Sequence, residues 1–293
     1  MRIFVTGASG WIGSAVVPEL ISAGHQVLGL ARSDAAAKAI AAIGADVLRG
    51  DLNDTGLLRA GALDSDGVIH LAFVVPSVSE AATRTDAAAI ETFAASLAGS
   101  GKPMLISGGT IATPGRPSTE HDELIAAGPI AARITNMQAA LAVAARDVRA
   151  CLVMLPRSVH GQGERHGFIP QLIALARAKG VSGYIGDGAS RWPAVHVKDA
   201  ARLYRLAVEQ APARSVLNAV GDEGVPVREI AEAIGRNLNL PAKSRPAEEF
   251  GGMLVPLLSR DMPASSAITQ ELLGWKPTHP GLIEDIEQGH YFS

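Results

Sequence analysis

The chain has 293 residues, 47% hydrophobic and 19% charged, a globular composition long enough to bury a core in one large or two modest domains. A net charge of −3 offers no basic excess for a phosphate backbone, which argues against nucleic acid as a partner. Charged residues break every apolar run short of the ~18 residues of a membrane span, and Cys151 stands alone, so no intrachain disulfide can form.

In chain order, Ile3–Thr6 reads as a strand that runs straight into a glycine turn. That start leaves no room for a signal peptide and, with the single cysteine, makes a cytoplasmic location the expectation. Ile12–Ala23 is helical in pattern, and Gly24 follows it as a C-terminal cap would. Gln26–Leu30 is the second strand, and Ser33 or Asp34 can cap a helix that continues to Ile43. Asp46–Arg49, Gly67–His70, Met104–Ser107 and Ala150–Leu155 are further strands, with helical patterns between them, notably Glu80–Ala98 and Ile130–Arg146. Strands that alternate with helices and read as unbroken apolar runs predict an α/β fold: a Rossmann-type, doubly wound parallel sheet. Beyond Leu155 the rhythm changes. Phe168–Lys179, Val197–Gln210 and Val227–Asn237 look helical, but glycine and proline interrupt them. Residues 1–155 are therefore expected to form the Rossmann-type domain and residues 156–293 a smaller lobe packed closely on it. The alanine-rich helices carry little charge. Core packing accounts for that, as would a helix–helix dimer face.

Thr6-Gly7-Ala8-Ser9-Gly10-Trp11-Ile12-Gly13 links the first strand to the first helix. Gly7 permits the tight turn, Gly10 lets the backbone approach a pyrophosphate, and Gly13 lets the helix pack close to the strand. Free amides and the positive dipole end of the helix then favour phosphate. This context marks a dinucleotide site made of Thr6, Gly7, Ser9, Gly10, Trp11, Ile12 and Gly13. At the end of the second strand, Arg32 offers a guanidinium fork that suits a 2′-phosphate, Ser33 adds a hydroxyl, and Asp34 falls where a helix cap is expected. NADP(H) is thus favoured over NAD(H); a solvated surface charge is the plainer reading of Arg32.

With Asp51-Leu52 after the third strand and Val68-Ile69-His70-Leu71-Ala72 at the fourth, these residues resemble the extended short-chain dehydrogenase/reductases, also called NAD-dependent epimerase/dehydratase-like proteins. The resemblance continues through Leu155–Gly161, Gly186–Ala201 and Leu273–Pro277, and so covers essentially the whole chain. It implies that Asp51 and Leu52 lie beside the adenine, that Leu71 and Ala72 run along the cofactor, and that a homodimer is possible. The family's catalytic pair is a Tyr with a Lys four residues on, the Lys easing proton transfer by the Tyr. The tyrosines here are Tyr184, Tyr204 and Tyr291; positions four beyond the first two are Gly188 and Val208, and Tyr291 has none. Arg133 and Met137 stand where Tyr and Lys would. The chain resembles the atypical members, which keep the cofactor site and lack the usual pair.

Substitutes for that pair are few. Ser107 and Thr110, at the end of the fifth strand, lie where the family places its catalytic hydroxyl; turn chemistry would use the same residues. Arg133 could orient a carbonyl or anionic substrate or be a surface charge. His160, His166 and His196 come from the second lobe, and histidine suits acid–base work near neutral pH. A structural hydrogen bond is the plainer role for each, and for His196 and Asp199 above all. Arg191 is a further pocket candidate. No metal-ligand spacing and no nucleophile elbow occurs. The expected function is NAD(P)H-dependent oxidation or reduction of a small carbonyl-type substrate. The alternatives are a non-catalytic dinucleotide sensor and an epimerase or dehydratase; the absent Tyr argues against the last.

Overall fold

The computed structural model describes residues 1–73, 79–252 and 254–292. Its first half alternates as expected: β1 (Arg2–Thr6), α1 (Gly13–Ser22), β2 (Gln26–Ala31), α2 (Asp34–Ala42), β3 (Asp46–Arg49), α3 (Thr55–Leu63), β4 (Gly67–His70), α4 (Glu80–Leu97), β5 (Pro103–Gly109), α5 (Ala131–Ala142) and β6 (Arg149–Leu155). The second half contains β7 (Ser158–His160), α6 (Phe168–Lys179), β8 (Ser182–Tyr184), β9 (Arg191–His196), α7 (Val197–Gln210), β10 (Val216–Asn218), β11 (Asp222–Pro226), α8 (Val227–Leu238), β12 (Ala242–Ser244), α9 (Leu254–Ser259), α10 (Ala267–Leu273) and α11 (Leu282–Glu287).

Seven strands form a sheet in the order β10-β6-β5-β4-β1-β2-β3, and all neighbours in it are parallel. Successive side chains of a strand point to opposite faces, and both faces here are covered. Ile3, Val5, Ile69, Leu105, Cys151 and Val153 enter the layer that holds α1, α2 and α7. Phe4, Val68, Met104, Ile106, Leu152 and Met154 enter the layer that holds α3, α4 and α5. Burial on both sides is why these strands read as continuous apolar runs.

The sheet does not end at Leu155, where the alternation in the sequence stops. After β7, α6 and β9 the chain returns, lays α7 against α1, and adds β10 as an edge strand beside β6. The expected boundary at residue 155 therefore overlooks a strand and a helix of the Rossmann layer. β10 is three residues long, too short to register as a pattern. The remaining elements form a second lobe with a three-stranded sheet (β11-β9-β7), a two-stranded one (β12-β8) and their own core around Trp192, Ile230, Ile234 and Leu282. Trp11 ties the two parts together, its indole Nε1 donating to the Val159 carbonyl at 2.7 Å.

Candidate active site

Parallel register brings the carboxyl ends of the strands to one edge: Thr6 opposite His70, Ala31 opposite Arg49, Gly109 opposite Leu155. Strand order reverses between β1 and β4, and a ligand crevice is expected at such a switch point. A cleft of about 670 Å³ opens there. Gly7, Ser9–Ser14 and Leu71–Phe73 line one side; Leu155–Arg157, Val159, Gly163–Phe168 and Gln171 line the other.

The glycine turn is built for close approach. Gly7 has φ +70°, and a Cβ there would lie 2.8 Å from the Ala72 nitrogen; one on Gly13 would lie 2.1 Å from the Gly7 carbonyl oxygen. Helices α2, α3 and α4 are each capped by a side chain, from Ser33, Asp54 and Ser79. α1 has no side-chain cap and no acidic residue in its first turn, so its leading amides remain available to an anion. This uncapped helix end behind a glycine turn fits a dinucleotide pyrophosphate.

Of the residues expected to hold the cofactor, Gly7, Ser9, Gly10, Trp11, Ile12, Gly13, Leu71 and Ala72 line the cleft. Thr6 lies beneath it, fully buried, and accepts from the Ala72 amide at 3.3 Å. Arg32 is exposed just beyond β2 and pairs with no described residue. Capping of α2 falls to Ser33, which accepts from the Ala36 amide at 3.2 Å, and not to Asp34, which instead takes Arg49 at 2.7 Å. The Ser33 hydroxyl keeps its proton to donate. Asp51 accepts the backbone amide and side-chain amide of Asn53, which shapes the turn after β3.

The expected catalytic residues divide. Under the floor runs a buried chain of polar groups. The Thr6 hydroxyl lies 2.6 Å from His70 Nδ1, and His70 Nε2 lies 3.3 Å from Asp86. The ionised Asp86 can only accept, so Nε2–H donates to it, and the neutral tautomer then leaves Nδ1 to accept the Thr6 hydroxyl proton. Burial disfavours the Asp86 charge, but the His70 hydrogen bond and the Arg133 guanidinium more than offset it and hold the carboxyl below its ordinary range. Arg133 is paired internally, with one nitrogen on Asp86, another on the Ser107 carbonyl, and its guanidinium 4.2 Å from the Phe73 ring centroid. Ser107 donates to the His70 carbonyl at 3.0 Å and lies 2.7 Å from the buried Tyr204 hydroxyl. Met137 packs against Gly108, where a Cβ would lie 2.8 Å from its Cε. Neither Ser107 nor Arg133 lines the cleft. Thr110 follows β5 at 9% exposure, and its hydroxyl bonds no described residue.

His160 is wholly buried, with Nδ1 3.0 Å from Asp285. His196 caps α7, accepting from the Lys198 amide at 3.2 Å, and burial, with His160 and His279 nearby, pulls its pKa down to about 4. Asp199 clamps the C-terminal segment, accepting from the Thr278 and His279 amides. Arg191 pairs with Asp261. Of the histidines considered, His166 alone reaches the cleft.

The cleft also presents an acid that the sequence does not announce. Glu164 is 8% exposed yet lines the cavity. Its carboxyl fills the space over Gly167, where a Cβ would lie 1.5 Å from Oε1. The Tyr291 hydroxyl lies 3.0 Å from both Glu164 and Asp285 and accepts from the Gly161 amide at 3.0 Å. Burial raises the Glu164 pKa to about 8; the Tyr291 hydrogen bond opposes this and the Asp285 charge adds to it. A carboxyl in a cleft that keeps its proton near neutrality is a candidate general acid. Its only local signal is the glycine density of Gly161–Gly167.

A crevice at the switch point with a glycine cradle defines a Rossmann-type dinucleotide-binding protein. The chain belongs to the NAD dependent epimerase/dehydratase family, whose model matches residues 3–219. It is 44% identical over 297 residues, 99% of each chain, to an uncharacterized protein of Saccharomyces cerevisiae. It is 27% identical to a UDP-glucose 4-epimerase of Streptomyces lividans, over 99% of this chain and 96% of that one. Among solved structures, the UDP-glucose-4-epimerase of Stenotrophomonas maltophila with bound NAD and formylated UDP-arabinopyranose superposes with a TM-score of 0.77 at 20% identity, covering 99% and 98% of the two chains. No helix of the described residues is long and apolar enough to cross a membrane.

Proposed function

We propose that the protein is an NAD(P)H-dependent oxidoreductase of a small carbonyl compound, that it prefers NADP(H), and that Glu164 supplies the proton a Tyr-Lys pair would otherwise handle. The observation that carries this reading is the shared cleft: the glycine cradle forms one wall and the buried Glu164 carboxyl stands in the other. The cofactor supplies a hydride when bound. The chain's own part is to seat the pyrophosphate on α1, hold the 2′-phosphate with Arg32, and deliver a proton from Glu164 to the carbonyl oxygen. Thr110, its hydroxyl uncommitted, is the strand-end residue proposed to orient that oxygen, although like Ser107 and Arg133 it is not part of the cleft lining. Arg133, Ser107 and His160 act as positioning residues, since each is tied into internal hydrogen bonds. Arg133 holds Phe73 against the cleft. The reading includes a homodimer: Ala81, Ala88 and Ala95 on α4 and Ala132 and Ala139 on α5 are exposed at seven-residue spacing, one face of each helix.

The test is NADPH consumption against a panel of aldehydes, ketones, oxo acids and imines, with Glu164→Gln in parallel. Turnover that falls by roughly two to four orders of magnitude in the variant at unchanged cofactor affinity supports the reading. Turnover unaffected by the substitution removes Glu164 from it. No turnover with any substrate, together with unequal affinity for oxidised and reduced cofactor, favours the dinucleotide sensor, a role consistent with Ser107 and Arg133 being locked away from the cleft.

A further inference from the structure

The cleft wall opposite the glycine turn holds a guanidinium with no counter-charge. Arg157, in the turn from β6 to β7, lines the cavity and is mostly withdrawn from solvent. Its terminal nitrogens donate to the Leu257 carbonyl and to Met262 Sδ, and its guanidinium lies 5.6 Å from the Trp192 ring centroid. No carboxylate of a described residue comes within ion-pair distance, and the charge that acts on it is another cation, Arg260. Burial and that neighbour pull its pKa down to about 10, so it stays charged at neutral pH at a cost.

Other partly buried arginines show what is missing. Arg133 has Asp86, Arg205 has Glu19 and Glu209, and Arg245 has Glu249. Arg149 lacks a carboxylate but donates to three carbonyls at the end of α7, those of Ala207, Val208 and Ala211. Arg157 has one carbonyl and a thioether, a weak acceptor, which leaves three of its five donors unused. A buried charge is normally paired. The cleft lining adds little negative charge: Arg165, His166 and Gln171 are among its residues, and its one acid, Glu164, is held largely protonated near neutrality, while Asp261, beside Met262, is paired with Arg191.

We propose that Arg157 anchors an anionic group of the ligand that shares the cleft with the dinucleotide, a carboxylate or a phosphate gripped by the guanidinium fork. Given the oxidoreductase reading, on which its description as substrate rests, the substrate class narrows to carbonyl compounds that carry an acid group. The cleft then takes two anions, the cofactor's phosphates at α1 and the substrate's acid at Arg157, with Glu164 in the glycine-rich loop that leads into α6.

Calorimetric titration of pyruvate, inorganic phosphate and methyl pyruvate tests this directly, using wild type, Arg157→Gln and Arg157→Lys with and without saturating NADP. The wild type is expected to bind at least one anion, and methyl pyruvate about tenfold more weakly. Pyruvate binding alone identifies a carboxylate site and phosphate binding alone a phosphate site. Arg157→Gln should lower anion affinity about tenfold or more, while NADP affinity stays within about twofold. Arg157→Lys, which keeps the charge and loses the fork, should fall between, and it carries the comparison if the Gln variant does not fold. Absence of anion binding to the wild type, or equal anion affinity in the variants, overturns the proposal. Failure of NADP binding or of turnover with anion binding intact defeats the oxidoreductase reading alone.

Discussion

At Glu164 a single carboxyl couples chemistry to stability. Its pKa in the folded protein, about 8, lies above the ordinary 4.5. The folded state therefore holds a proton that the unfolded chain releases between those values, and stability present below pH 4.5 is lost as pH rises toward 8. Glu164→Gln should melt with the wild type at pH 4.5 and at a higher temperature above pH 8, as measured by thermal unfolding across pH. Wild-type turnover should fall as pH climbs through about 8. A melting difference independent of pH would show that the carboxyl titrates normally. Gly13 is as strict a position sterically. Gly13→Ala drives a Cβ into the Gly7 carbonyl and should cost roughly 1–3 kcal/mol in denaturant unfolding, with cofactor affinity lost in parallel.

Among the elements, those with four or more apolar or periodic residues were legible in the sequence and the three-residue strands were not. Asp46–Arg49, Gly67–His70, Phe168–Lys179 and Val197–Gln210 have the expected bounds, because apolar periodicity and burial agree there. β5 runs to Gly109, two residues past the expected Ser107. The strands β7, β8, β10 and β12 have three residues each, and tertiary pairing alone defines them. Legibility of the site follows the same division. The glycine turn is a local device, so its residues could be read off; the Glu164 carboxyl and the unpaired Arg157 acquire their character from α6, β9 and segments about 100 residues downstream. Of the two cap candidates for α2, Ser33 takes the role and Asp34 does not, because Ser33 has the extended backbone a cap requires. Ser33→Ala should accordingly destabilise α2 by about 1 kcal/mol in denaturant melts.

For the molecule as a whole, the chain crosses to the second lobe after β6, returns through α7 and β10, and crosses again at β11, so the lobe is built from two stretches with the cleft at the seam. Trp11 crosses that seam through its bond to Val159 and packs near Gly163. The exposed alanine faces of α4 and α5 make a dimer the expected assembly; Ala88→Glu should convert it to a folded monomer in light scattering, and an unchanged mass would place any interface elsewhere. The central claim, a dinucleotide site tuned for the 2′-phosphate, is tested most directly by calorimetric titration of NADPH, NADP, NADH and NAD into wild type and Arg32→Ala. The account predicts that NADP(H) binds at least about tenfold more tightly than NAD(H) and that the variant loses this preference without losing NAD(H). Equal affinity for the two cofactors, or binding of none of the four, would contradict it.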